Sequence, residues 1–191
     1  MNTIYDFETL SQNPQNGVVL SMAMLNWDPK IKYTYYELVY SAAYIKFDVA
    51  EQVEKYDRKI SPSTLAWWGE QNKEAQKALK PSSNDKSITE LYDFYRDNMT
   101  TSADALVYTR RNTFDPVFML SVMHSVGRDL PYAWWDVRDT ISYIEGLTYG
   151  ADTDHRFIPE GLKDHFVAHD PRHDIAMDVI RIQTLMSALD A

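Results

Sequence analysis

The chain contains no cysteine, which excludes disulfide bonds and thiolate metal sites and is compatible with a reducing cytosol. It also lacks an apolar run long enough to span a membrane, and its first residues show no signal-peptide pattern. From these absences we predict a soluble protein that resides in the cytoplasm and is not associated with a membrane.

Positive charge is also scarce, because 19 lysines and arginines face 28 aspartates and glutamates and the formal net charge is −9 at pH 7. Proteins that bind phosphate backbones in a general way are usually basic, so this class is disfavoured. A nuclease remains compatible with the charge, because a carboxylate metal site adds negative charge that bound cations offset. Two divalent ions would change the total from −9 to −5. The other explanation of the charge is solubility.

The chain has 191 residues, of which 45% are hydrophobic, and this predicts one domain over residues 1–191 with a sizeable core. Strand signals are concentrated at the start, over residues 4–9, 17–26 and 32–41, with a turn at residues 27–30. We therefore expect the chain to begin with a three-stranded antiparallel meander.

Helical and strand patterns alternate after the meander. Helices are predicted over residues 63–79, 114–126, 139–147 and 170–189 and from Ser87 onward, and short strands over residues 105–109 and 133–137. This order predicts an α/β fold in which a mixed sheet is flanked by helices. Residues 150–166 are predicted to form a loop near a functional site.

Asp6 and Glu8 stand two positions apart on the first predicted strand, within Ile4–Thr9. Because side chains alternate along a strand, both carboxylates point to the same face. Two adjacent anions repel one another and are costly to desolvate unless a cation lies between them. Oxygen ligands on a rigid strand suit Mg²⁺ or Mn²⁺. The alternative is an edge strand with two solvated acids.

Asp115 is a third candidate ligand. It stands at the start of the helix predicted over residues 114–126, with Pro116 at the first helical position. The preceding segment is a short apolar strand, so the carboxylate would lie near the carboxyl end of that strand. A plain helix cap is the alternative role.

The segment His169–Asp174 contains two His-Asp pairs before the terminal helix. Pro171 sets the helix start and makes Asp170 the natural N-cap. His169 then precedes the helix while Asp174 ends its first turn, so both can face one site. His173 is the rival histidine. Behind Asp174, a stripe spaced for core packing consists of Ile175, Val179, Ile182, Met186 and Leu189.

Three motifs together resemble the DEDDh exonucleases, and in particular the exonuclease A (DexA) family of tailed bacteriophages. They are Asp6-Phe7-Glu8-Thr9, the segment 112–120 with Asn112 and Asp115, and the segment 169–174. Supporting stretches are residues 63–68, 134–139 and 166–170, so the similarity covers nearly the whole chain. Many relatives have a glycine soon after Asp-x-Glu-Thr, where this chain has Leu10-Ser11.

The resemblance implies an RNase H-like fold and a metal-dependent 3′-5′ exonuclease, which releases 5′-mononucleotides from the 3′ end of a single strand. By the same resemblance, the metal ligands for two Mg²⁺ or Mn²⁺ ions are Asp6, Glu8, Asp115 and Asp174. His169 matches the general base of the family. Two ions can stabilise the attacking and leaving oxygens of a phosphodiester together, which explains the choice of residues.

Contacts with the substrate are predicted for Thr9, Leu10, Trp68 and Asn112. The resemblance suggests that the backbone near Thr9 and the side chain of Leu10 hold the terminal nucleotide, although Leu10 could equally be core. Adjacent tryptophans at the start of a helix face different ways, so one of Trp67 and Trp68 should pack inside while the other is available to a base. Trp134 and Trp135 are expected to pack in the core.

Four functional classes follow from these features. The first is a 3′-5′ exodeoxyribonuclease that acts on single-stranded DNA, and the second is an exoribonuclease with the same five residues. The third is an HD-type phosphohydrolase, suggested by the two His-Asp pairs, but that class is mainly helical and needs more histidines. The fourth is a noncatalytic nucleic-acid-binding module on the same fold.

Overall fold

The computed structural model describes residues 1–148 and 154–189. Its strands are β1 (Asn2–Thr9), β2 (Val19–Trp27), β3 (Ala43–Lys46), β4 (Val107–Thr109) and β5 (Val137–Asp139). Its α-helices are α1 (Tyr35–Ser41), α2 (Val49–Tyr56), α3 (Pro62–Gly69), α4 (Leu91–Asn98), α5 (Asp115–Ser125), α6 (Thr140–Thr148) and α7 (Pro171–Leu189). Short 3₁₀ turns lie at Ala75–Leu79, Ile88–Glu90 and Trp134–Asp136.

The five strands form one mixed sheet in the order β3-β2-β1-β4-β5. β1, β2 and β3 are antiparallel neighbours, whereas β4 is parallel to both β1 and β5. The predicted α/β architecture with an antiparallel start is therefore confirmed. β4 pairs with β1 only through Thr3 and Ile4, so the second half of the central strand is not covered by β4.

Helices cover both faces of the sheet, because alternate residues of β1 enter two separate cores. Tyr5 and Phe7 pack in one core with residues of α4 and α5. Ile4 packs in the other core with residues of α1, α6 and α7. Since side chains two apart share a face, Asp6 and Glu8 project to the α7 side.

The terminal helix begins and ends where the sequence predicts, but its burial differs from the expected stripe. Nine consecutive residues, from Ile175 to Gln183, are buried. A helix that is buried on all sides lies inside the molecule and not at its surface. Leu189, predicted as part of the stripe, is 64% exposed. Among the residues that the structure describes, no helix is long and apolar enough to cross a membrane.

The prediction of a strand over residues 32–41 is wrong. Thr34 and Glu37 form a capping box, in which each side chain bonds the other residue's backbone N–H, and α1 follows. This local signal outweighs the strand preference of the tyrosines. The third strand of the antiparallel set is β3, which begins directly after this helix.

Two further element boundaries differ from prediction. The helix expected over residues 63–79 stops at Gly69 and resumes only as the 3₁₀ turn Ala75–Leu79. The strand expected over residues 133–137 is shifted, because residues 134–136 form a 3₁₀ turn and β5 starts at Val137. The loop predicted over residues 150–166 falls partly outside the described residues, and its described part, from residue 154, has no helix or strand.

Candidate active site

Two acids of β1 form the base of the site. Asp6 lies opposite Ala23 on β2, and Glu8 lies opposite Ser21. Small residues at these partner positions leave room above the sheet next to the two carboxylates. Glu8 is only 7% exposed and β1 is the central strand of the sheet, so the solvated edge-strand alternative is wrong for this pair.

Asp115 reaches the same place from the start of α5. The N-cap of this helix is Phe114, and Asp115 is the first helical residue. Its carboxylate Oδ1 accepts a hydrogen bond from the backbone N–H of Phe7 at 3.2 Å. That N–H is available because β4 ends before reaching this part of β1. The side chain is therefore turned toward β1, between Asp6 and Glu8, and the plain helix-cap alternative is wrong.

Asp174 and His169 complete the group from the start of α7. Asp170 Oδ1 accepts from the Arg172 backbone N–H at 3.1 Å, as expected of the predicted N-cap. The His169 N–H donates to Asp174 Oδ2 at 2.9 Å. Potential ligand atoms of Glu8, His169 and Asp174 lie within 4.8 Å of one another. Histidine and carboxylate therefore face one site, although they are five residues apart.

The electrostatics show that the four carboxylates act on one another. Removal from solvent raises the pKa of Asp6, and the negative charges of Asp115, Glu8 and Asp174 raise it further. Desolvation followed by repulsion from Asp174 and Asp115 likewise raises the pKa of Glu8. Burial is the main cause that raises the pKa of Asp115, and it raises the pKa of Asp174 to about 7. Such a cluster favours either a proton or a bound cation.

His169 has the properties of a neutral imidazole. Partial burial lowers its pKa from the ordinary value, so the uncharged, proton-accepting form predominates at neutral pH. Its backbone is in the left-handed region, with φ of 66°. Arg111, which lines the same cleft, is also left-handed, with φ of 71°. Strained residues of this kind persist where surrounding contacts hold them and are common at functional sites.

The carboxylates open into a cleft of about 810 Å³. Its walls include aromatic and basic side chains, among them Trp67, Phe114, Arg110 and Arg111. Volume and composition are those of a small-molecule or nucleotide site. The cleft therefore combines anionic metal ligands at one end with groups that could contact a base and a phosphate.

The two tryptophans of α3 are divided between core and cleft, as expected, but in the order opposite to our assignment. Trp68 is fully buried and donates its Nε1–H to the Thr9 carbonyl at 2.9 Å. It therefore has no exposed ring face for a base, which corrects its prediction as a substrate contact. Trp67 is 40% exposed, and its ring centroid lies 4.7 Å from that of His169. Of the two tryptophans, Trp67 is the one that lines the cleft.

The other predicted substrate residues occupy different environments. Thr9 lines the cleft, and its hydroxyl donates to the Ser11 carbonyl at 2.9 Å. Leu10 is 4% exposed and packs in a small core with Trp68, so its side chain fits the packing alternative. Asn112 is exposed, and its Oδ1 accepts from the Thr109 hydroxyl at 3.2 Å.

The HD-type alternative is wrong, because that class is mainly helical and this chain is built on a five-stranded sheet. The second histidine of the pairs is also engaged elsewhere. His173 Nδ1 is within 2.6 Å of the Tyr35 hydroxyl, and His173 is absent from the walls of the cleft that contains the carboxylates.

Sequence reasoning missed a buried network behind the cleft. Asp178, one turn after Asp174, receives Nη1–H bonds from Arg110 and Arg181 on Oδ1 and the Thr140 hydroxyl on Oδ2. Arg181 is engaged at each of its three nitrogens, because its Nε and Nη2 also donate to the carbonyls of Phe157 and Arg156. Arg110 makes one side-chain hydrogen bond within the described part of the chain, so its Nε and Nη2 remain available on the cleft wall. The i, i+4 spacing of Asp174 and Asp178 is the sequence signal that could have indicated this network.

The donor set fits divalent cations. Asp6, Glu8, Asp115 and Asp174 supply carboxylate oxygens, the ligands that Mg²⁺ and Mn²⁺ prefer. Their raised pKa values show how costly four neighbouring anions are without a positive partner. A cation at this position would remove that cost.

Comparison with known proteins agrees with this geometry. A family model described as a 3′-5′ exoribonuclease Rv2179c-like domain matches residues 1–177. The chain is also 30% identical to the exodeoxyribonuclease of Enterobacteria phage T4, over 94% of this chain and 86% of the phage protein. The chain belongs to the DEDDh-type 3′-5′ exonucleases. The resemblance predicted from the three motifs is thereby confirmed, and this exonuclease is a phosphodiester hydrolase by family.

Solved structures of Escherichia coli exonuclease I share the fold. One, a zinc-bound complex with single-stranded DNA, superimposes with a TM-score of 0.66 at 15% identity over 98% of this chain. Another, in complex with a dT13 oligonucleotide, gives a TM-score of 0.62 at 16% identity over all of this chain. The chain spans about two fifths of exonuclease I, 40% and 41% in these structures. The likeness confirms the predicted RNase H-like fold.

Proposed function

We propose that this exonuclease removes 5′-mononucleotides one at a time from the 3′ end of single-stranded DNA, using two divalent cations and His169 as the general base. The observation that carries the proposal is the convergence of His169 with four carboxylates from β1, α5 and α7 on one cleft. These residues are far apart in sequence, and only the fold brings them together.

Asp6, Glu8, Asp115 and Asp174 would hold the two ions, which we expect to be Mg²⁺ or Mn²⁺. Bound there, two cations stabilise negative charge on both the attacking and the leaving oxygen and lower the pKa of an attacking water. The protein holds the four ligands on rigid elements, because two come from the central strand and two from the first turns of helices. Rigid ligands keep the required geometry without reorganisation.

His169 would accept the proton of the attacking water. Its lowered pKa keeps the imidazole neutral, which a general base requires. The bond from its backbone N–H to Asp174 fixes the residue beside the carboxylates. The edge-to-face contact with Trp67 limits the rotation of the ring.

The substrate would bind along the wall of the cleft. Trp67 offers a half-exposed ring to the terminal base, and Thr9 lies beside the carboxylates. Arg110 has guanidinium donors that bond to no described residue and could bind a phosphate. Asn112 remains a predicted contact on the loop before α5. Stacking of one base on an aromatic side chain is worth about 1–3 kcal/mol, enough to position a terminal nucleotide.

DNA is the proposed substrate because the phage T4 relative is named an exodeoxyribonuclease. Single strands are proposed because exonuclease I, which shares the fold, is described in complexes with single-stranded DNA and dT13. A second candidate is RNA, since the matching family model is described as an exoribonuclease domain. Parallel digestion of end-labelled DNA and RNA oligomers of one sequence would distinguish the two substrates.

The direct test is incubation with a 3′-labelled single strand in the presence of Mg²⁺, Mn²⁺ or EDTA. Stepwise release of labelled mononucleotide that EDTA abolishes is the expected result, and Asp6→Asn is the inactive control. Calorimetry with Mn²⁺ tests the noncatalytic alternative, which predicts no metal uptake by the wild-type protein. A single domain over residues 1–191 and a cytoplasmic location remain predictions.

A further inference from the structure

Two tryptophans that were expected in the core lie at the surface. Trp134 is 72% exposed and Trp135 is 63% exposed. Their ring centroids are 5.5 Å apart at an interplanar angle of 80°, so the rings meet edge to face and do not cover one another. Two neighbouring exposed indoles form an apolar surface that usually marks an interaction site. Catalysis as proposed above does not use either residue.

The position of this pair connects it to the catalytic cleft. It lies in the 3₁₀ turn that leads directly into β5, an edge strand of the sheet. At the other end of that strand, Asp139 Oδ1 accepts the backbone N–H of Arg111 at 3.1 Å, and Arg111 lines the cleft. Asp139 lies four positions after Trp135, so the chain between them spans at most about 14 Å.

An exposed arginine lies on the strand that connects the cleft wall with the tryptophans. Arg138 is exposed on β5, and its Nη1 donates to the carbonyls of Trp135 and Val137, both at 2.8 Å. Its Nε and Nη2 make no hydrogen bond to the residues that the structure describes. The acids nearby are engaged or face elsewhere: Asp139 caps α6, and Asp136 lines a separate cavity with Tyr132. Arginines alternating with exposed aromatic rings are typical of single-strand binding surfaces.

We propose that Trp134, Trp135 and Arg138 form a second contact site for single-stranded nucleic acid, which holds bases and a phosphate upstream of the 3′-terminal nucleotides in the cleft. The proposal rests on the proposed nuclease function for the direction of the strand, because a 3′ end in the cleft leaves the 5′ portion outside it. Two observations favour a strand with phosphates over an uncharged protein surface: the continuity along β5 from Arg111, and the Nε and Nη2 donors of Arg138, which bond to none of the residues that the structure describes.

The test compares substrates of two lengths with a double variant, Trp134→Ala/Trp135→Ala. Hydrolysis of a deoxythymidine trimer and of a 12-mer is measured with Mn²⁺, together with anisotropy of a 5′-labelled 12-mer in EDTA. We expect the double variant to raise KM and Kd for the 12-mer by about 5- to 100-fold, the range for loss of one stacked base, and to leave trimer hydrolysis unchanged. Arg138→Gln should weaken 12-mer binding and reduce its dependence on salt. Tyr40→Ala, which removes an exposed aromatic ring near the opposite edge strand, is the matched control. It should change neither KM nor Kd for the 12-mer.

The outcomes separate this site from the nuclease function. Equal KM and Kd for the 12-mer in wild type and double variant overturn the proposal, even if hydrolysis is normal. Loss of trimer hydrolysis in the double variant would assign the tryptophans a structural role instead. A smaller particle on size exclusion after the substitutions, with unchanged DNA binding, would assign the surface to a second copy of the chain. If the wild type binds the 12-mer more tightly than the double variant but hydrolyses nothing, the second contact site is supported and the nuclease proposal fails.

Discussion

The backbone N–H of His169 donates a hydrogen bond to Asp174 Oδ2 at 2.9 Å. The proposed base and a proposed metal ligand are therefore held as one unit, and His169 has a left-handed backbone with a φ of 66°. Left-handed backbone costs an ordinary residue roughly 1–2 kcal/mol, whereas asparagine tolerates it better. The imidazole of His169 has the proposed chemical role, and its left-handed backbone has a structural role. Substitutions can therefore test the two roles separately.

His169→Asn and His169→Ala should both lose hydrolysis by at least about 100-fold, the usual contribution of a general base. They should differ in stability, because the polar side chain of asparagine can form local hydrogen bonds in the left-handed conformation and that of alanine cannot. We expect His169→Ala to lower the free energy of unfolding by about 1 kcal/mol relative to His169→Asn. Turnover and urea unfolding of both variants check this. Near-normal turnover in either one would remove His169 as the base.

Asp6→Asn should have opposite effects on the metal-free and metal-bound protein. Removal of one charge relieves repulsion from Asp115, Glu8 and Asp174, so Tm in EDTA should rise. The increase in Tm that Mn²⁺ gives the wild type by binding the folded state should be lost. Thermal melts with and without Mn²⁺ measure both effects, with Asp104→Asn, an exposed acid, as control. A lower Tm in EDTA together with retained metal stabilisation would contradict the assigned cluster.

The metal-free protein should be less stable at pH 8 than at pH 5.5. The folded-state pKa of Asp174 is raised to about 7, above the ordinary unfolded value near 4. The folded state therefore binds more protons than the unfolded state between these values, and stability is lost as pH rises through 7. The raised pKa values of Asp6, Glu8 and Asp115 act in the same direction.

We expect Tm in EDTA to fall by at least about 3 °C between pH 5.5 and pH 8, the shift that roughly 1 kcal/mol produces in a chain of this size. Asp174→Asn should reduce this dependence. A Tm that is flat or that increases over the same range in EDTA would show that the carboxylates are ionised without penalty, against the electrostatics of the cluster.

Trp67→Ala should raise KM for single strands by roughly 5- to 100-fold, because one base loses its stacking partner. It should also lower kcat, since the ring of Trp67 packs against His169 at 4.7 Å. Trp67→Phe keeps an aromatic face and should retain most of both. Steady-state kinetics on one oligonucleotide compare the three proteins. Identical kinetics for the alanine variant and the wild type would place Trp67 outside the substrate path.

Much of the site could be predicted from signals that lie within a few neighbouring residues and have a direct physical cause. The alternation of β1 placed Asp6 and Glu8 on one face, and Asp170-Pro171 set the start of α7. The capping box of Thr34 and Glu37 was equally local, but a run of tyrosines with strand preference concealed it.

Features that depend on tertiary packing could not be read from the sequence. Neither composition nor spacing tells whether Trp67 or Trp68 faces the cleft, since this depends on how α3 is rotated against β1. The Asp178 network required the loop before α7 and the end of β4 to meet. The exposure of Trp134 likewise follows from the position of β5 at the sheet edge.

The central claim is that four carboxylates and one imidazole bind a pair of cations, and a crystal structure grown with Mn²⁺ and thymidine monophosphate tests it most directly. We predict two anomalous peaks about 3.5–4 Å apart, bounded by Asp6, Glu8, Asp115 and Asp174, with the nucleotide phosphate on them and the His169 imidazole alongside. Manganese bound only elsewhere, or a phosphate held away from these carboxylates, would contradict the account.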